Sequence, residues 1–130
     1  MRRPKISGFV GYHRIRYLSS EVGTVDDYTV VVTYNAEVKA TNYATGVTIK
    51  KNTVAQTIDS ATRQTATPNV VYFVLHDPVI DTDDVTFEYD GYTGNYHHMK
   101  HTTAQTVTNN ASAGGTPGVA MGVLCLTYAS

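Results

Sequence analysis

The sequence predicts an all-β fold, an antiparallel sandwich of two sheets, on three observations. Apolar and polar side chains alternate with a period of two over several short runs rich in Val, Thr and Tyr. Turn-forming Gly, Asn, Asp and Pro separate those runs at intervals of about 8–15 residues. No segment sustains the 3.6-residue period of an amphipathic helix.

The elements follow in chain order. Residues 1–20 form a basic arm that leads into a first strand. Over 28–34, Tyr28, Val30, Val32 and Tyr34 point one way and Thr29, Val31 and Thr33 the other, which is a strand. Asn35 to Asn42 reads as a loop or crossover exposing Glu37 and Lys39. Gly46 to Lys50 alternates again with Val47 and Ile49 inward. Lys51-Asn52-Thr53 is a turn, and a short strand follows through Val54 and Ile58. Thr62 to Asn69 is a polar loop closed by Pro68-Asn69. Val70 to Leu75, the most apolar run before the tail, is expected as a central strand buried on both sides. Pro78 ends it, because proline cannot donate to a ladder. Val85, Phe87 and Tyr89 face inward from the next strand, and a Thr-rich strand from Thr102 to Thr108 closes the domain.

Composition bounds the function. A chain of 130 residues is a single domain long enough to bury a core. Ten Tyr against three Phe and no Trp predict many half-buried rings with wet hydroxyls. The lone Cys125 excludes an intrachain disulfide and favours assembly in the cytosol. The basic start Met1-Arg2-Arg3-Pro4-Lys5 lacks the apolar run of a signal peptide. No stretch approaches the roughly 18 apolar residues of a membrane helix, so no membrane partner is expected. Charge is unevenly spread. Residues 1–20 carry Arg2, Arg3, Lys5, Arg14 and Arg16 and no acid, whereas the rest of the chain holds all eleven acids. Such an arm suits an acidic protein surface, and no nucleic-acid motif accompanies it.

No catalytic constellation emerges, and neither a metal nor a cofactor is expected. His97-His98-Met99-Lys100-His101 has no acid or cysteine at ligand spacing; as a strand it would put His97 and Met99 on one face. Asp77, Asp81, Asp83, Asp84 and Asp90 gather near one turn but lack the glycine and distal Glu of a calcium loop. Cys125 sits in an apolar run, which is unsuited to an activated thiol. Tyr92, Tyr96 and His97 form a candidate ligand loop.

Residues 28–110 resemble the bacterial immunoglobulin-like repeats of the SwmB type. The matching pieces are Tyr28 to Asn35 running into Glu37-Val38, the Gly46 to Asn52 hairpin, and Val71 to Leu75 with Pro78-Val79. Asp84-Val85-Thr86-Phe87-Glu88-Tyr89 and Gln105 to Asn110 complete it. The sequence departs from those repeats at the short, Tyr- and His-rich Tyr92 to His101. The resemblance implies an immunoglobulin-like sandwich that is structural or adhesive and carries no catalytic residue.

The expected organisation is a basic arm over 1–20, the sandwich over 21–110, and a glycine-rich hinge with an apolar strand over 111–130. In that strand Val119, Met121, Val123, Leu124, Leu126 and Tyr128 need cover from a partner or from the chain's own sheet. With one copy and sticky ends, the sequence is similar in architecture to bacteriophage accessory proteins. The expected function is a non-enzymatic virion subunit, a capsid decoration or cement protein assembled in the host cytoplasm. Its partners would be the major capsid or another virion protein and copies of itself, met through the arm and the tail. An adhesive or carbohydrate-binding cell-surface module is the alternative.

Overall fold

The computed structural model describes residues 15–113, and all nine of its elements are strands. They are β1 (Tyr17–Val22), β2 (Thr29–Tyr34), β3 (Val47–Lys51), β4 (Val54–Ala55) and β5 (Ile58–Arg63), then β6 (Val70–Leu75), β7 (Val85–Tyr89), β8 (Thr102–Thr106) and β9 (Thr108–Asn109). One sheet has the order β5-β6-β2-β1-β9 and the other β4-β3-β7-β8. All pairings are antiparallel except β1 with β9, which run parallel through Glu21↔Thr108 and Val22↔Asn109. The all-β sandwich read from the sequence is the observed fold class.

Alternation builds the core, since one face of each sheet is covered and the other is wet. Val30, Val32 and Tyr34 of β2 meet Val71, Phe73 and Leu75 of β6 on the inner face of the first sheet. Ile49, Val85, Phe87 and Tyr89 supply the second. Phe87 is the hub between layers, with its ring 5.8 Å from Phe73 and stacked 5.5 Å from Tyr17. Loop residues complete the core: Val38, Val79, Tyr96, Met99, Val107 and Ala111 are all buried.

Several expectations are corrected. Tyr28 lies just before β2 and is exposed, not inward, and Val47 is only half-buried. The strand expected through Val54 and Ile58 is two strands in different sheets, and β5 runs on to Arg63, into the expected polar loop. β6 is not buried on both sides. Val71, Phe73 and Leu75 are buried, whereas Val70, Tyr72 and Val74 are half-exposed, because a two-layer sandwich covers one face only. The closing strand divides at buried Val107, where the chain leaves β7 and crosses to β1.

Two turns set the shape locally. Asn52 and Thr53, at φ +53° and +72°, form a two-residue connection between β3 and β4 with both central residues left-handed. Gly46, at φ +86°, lies against Gly94, whose missing side chain makes room for the Tyr89 ring. These contacts draw the β2–β3 and β7–β8 loops together at one end of the sandwich.

Candidate binding face at the loop end

Three segments meet at that end: the β2–β3 loop, the β7–β8 loop and the residues leading into β1. Tyr96 anchors the arrangement. Its ring lies 5.0 Å from Tyr89, 5.4 Å from Tyr43 and 5.8 Å from Tyr34, and its hydroxyl donates to the Tyr43 carbonyl at 2.8 Å. Its N–H donates to the Tyr89 hydroxyl at 3.2 Å. Next to it, the His97 N–H donates to the Lys39 carbonyl at 2.8 Å and the Asn95 amide to the Thr41 hydroxyl at 2.8 Å. The loop is therefore tied down along its length.

Burial governs the electrostatics of this plug. Desolvation pushes the Tyr34 and Tyr96 phenols far above the ordinary tyrosine value, so both stay protonated. The Tyr34 hydroxyl faces that of Tyr96 without the geometry of a full hydrogen bond, a buried donor left largely unsatisfied. At the surface, Asp90 accepts from the Tyr92 N–H at 2.9 Å and the Thr93 hydroxyl at 3.1 Å. The Tyr92 bond above all holds its carboxyl below the usual range. The Gly91 N–H donates to Nδ1 of His101 at 3.0 Å.

The expected ligand loop is thus divided. Tyr92 is 89% exposed and tilts against His101 at 5.4 Å. His97 is exposed and borders a cavity of about 450 Å³ with Ile15, Ala36, Glu37, Lys39 and His98. Tyr96 is corrected: it is core, its hydroxyl spent internally. Met99 is also core and does not share a surface with His97, because the chain turns at His98, φ +58°, instead of running as a strand. The five aspartates do not gather either. Asp90 follows β7 at the loop end, whereas Asp77, Asp81, Asp83 and Asp84 precede it at the far end. Among the described residues no three His, Cys, Asp or Glu side chains are grouped to hold a metal.

Of the expected interface cations only Arg16 lies within the described residues. It is exposed, with its backbone N–H on the Asn35 side chain at 2.9 Å. It shares a pocket of about 250 Å³ with Tyr17, Lys100 and His101 in the cleft between β1 and β8. Arg2, Arg3, Lys5, Arg14, Val119, Met121, Val123, Leu124, Leu126 and Tyr128 lie outside the described residues. Sequence reasoning missed Lys39 and Lys100. With Arg16 they have no ion pair among the described residues, while Arg63 is paired to Glu37 at 3.1 Å. Their distance apart in the chain hides that they share one end, which the bonds from the His97 N–H to the Lys39 carbonyl and from the Lys100 N–H to the Ile15 carbonyl, both 2.8 Å, reveal. No protein-family model matches the chain, and no curated protein is significantly similar to it.

Proposed function

We propose that the protein is a non-enzymatic assembly subunit on an immunoglobulin-like sandwich, a decoration or cement subunit of a bacteriophage capsid or tail. The strand order supports the immunoglobulin-like part. In letters it runs D-E-B-A against C′-C-F-G with β9 beside A, the order of the seven-stranded immunoglobulin sandwich with two added edge strands, C′ and β9. The observation that carries the assembly reading is where the flanking segments join. Residues 1–14 join at Ile15, bridged to Met99 at the loop end, whereas residues 114–130 follow Ser112, bonded to Asp27 at the opposite end. A subunit so built can touch a different neighbour with each end.

The test is to end the chain at residue 113 and, separately, to reverse Arg2, Arg3 and Lys5 to Glu. Both proteins are expected to fold, read by thermal melting, and to lose co-sedimentation with particles. A truncated chain that still binds particles, or that fails to fold, overturns the reading. The carbohydrate-binding alternative is favoured by one observation, the exposed Tyr92 ring against His101, which lines the pocket between β1 and β8. Glycan binding abolished by Tyr92→Ala would establish it instead.

A further inference from the structure

The end of the sandwich opposite the loop end carries exposed apolar side chains among a group of aspartates. Val25, Tyr28 and Ile80 are exposed by 50%, 43% and 37%. They sit on the β1–β2 and β6–β7 connections, which are joined by the Val79 N–H to Asp27 carbonyl bond at 2.8 Å. Around them stand Asp26, Asp27, Asp77, Asp81, Asp83 and Asp84, against Lys51 alone among the described lysines and arginines, which is bonded to the Pro78 carbonyl. An apolar patch with a tyrosine inside a charged rim has the composition of a protein interface. The loop end has the complementary character: Arg16, Lys39 and Lys100 are exposed there without ion pairs among the described residues.

We infer that copies of this chain associate head to tail, the acidic, apolar end of one copy receiving the basic loop end of the next. Lys39 and Lys100 are fixed at the loop end, so they cannot reach the acidic end of their own copy. A second copy can present them. The contact joins two different surfaces, so it does not close at two copies and grows into a chain or a ring. A sandwich end of four strands by two layers covers about 400–500 Å² per copy, which places the contact among transient interfaces. Its affinity is then concentration- and salt-sensitive.

This inference goes beyond the assembly reading and fails separately from it, because the test uses purified full-length protein with no particle present. Mass is followed by sedimentation from about 10 to 200 μM, the range suited to a transient interface. At about 50 mM salt the wild type is expected to grow past two copies, and at about 500 mM to return to monomer. Asp77→Lys with Asp81→Lys leaves four aspartates against three lysines and cancels most of the charge of the acidic end, and Lys39→Glu with Lys100→Glu leaves the loop end with two glutamates against Arg16. None of these four side chains makes a hydrogen bond or ion pair among the described residues, so melting is expected to hold. Each double variant should stay monomeric alone, and an equimolar mixture should associate. Should a reversal unfold the protein, the neutral pairs Asp77→Asn with Asp81→Asn and Lys39→Gln with Lys100→Gln replace it. These should weaken association by about tenfold. A monomeric wild type, as when residues 1–14 bind their own copy's acidic end, overturns the inference. So do growth that stops at two copies, a reversed variant that self-associates like the wild type, or a mixture that does not associate.

Discussion

Replacing Tyr96 tests whether the β7–β8 loop is part of the core or merely rests on it. The ring is 6% exposed and packs against three other tyrosines at 5.0–5.8 Å. Tyr96→Ala removes a buried aromatic and leaves a cavity, which costs about 3–5 kcal/mol. Tyr96→Phe keeps the packing and removes only the bond to the Tyr43 carbonyl, costing about 1 kcal/mol. For a domain near 100 residues each kcal/mol lowers Tm by about 4–8 °C, so the alanine variant should melt at least 12 °C lower. Calorimetry measures the shift, and amide exchange shows where it arises. Residues 90–101 should lose protection in Tyr96→Phe before β2 and β6 do. A Tm change below about 4 °C for Tyr96→Ala, less than 1 kcal/mol on the same scale, would refute the core assignment.

Two further predictions concern strain and protons. Thr53 is a β-branched residue at φ +72°, so Thr53→Gly should raise stability by about 1 kcal/mol in a denaturant titration; a loss would mean the turn is unstrained. Tyr34 and Tyr96 hold their protons in the folded protein above the pH near 10 where an unfolded tyrosine loses them. Above that pH the unfolded state binds fewer protons, so stability is intact below it and falls as pH rises, by about 1.4 kcal/mol per unit for each such tyrosine. Tyr34→Phe should flatten that fall by about one tyrosine's share, and an unchanged slope would show that the phenol is not buried.

The strands were legible where alternation is clean. β7 and β6 fall where the period placed them, and β2 begins one residue later than expected. What escaped lies in segments without a period. Val38, Val79, Tyr96 and Met99 are core residues in loops, and nothing in local spacing marks a loop side chain that turns inward. Val70 to Leu75 misled because its outer face is as apolar as its inner one. A continuous run does not say how many faces are covered. The crossings between β4 and β5 and between β8 and β9 were invisible for a related reason. The chain keeps its extended conformation while changing its partner strand. At the candidate site the sequence singled out Tyr92, His97 and Arg16 as contact residues but gave Lys39 and Lys100 no such role, because their convergence depends on which loops meet.

The parallel pairing of β1 with β9 has a mechanical meaning. If the chain is pulled by its two flanking segments, one force acts at Ile15 and the other beyond Ser112, at opposite ends of the sandwich. The β1–β9 ladder, the Asn110 N–H to Val22 carbonyl bond at 2.7 Å and the bridge between Ile15 and Met99 then lie along the line of tension. Bonds loaded in shear must yield together, whereas a hairpin pulled from its open end unzips one bond at a time. The seam is short, so it resists as a brittle clasp.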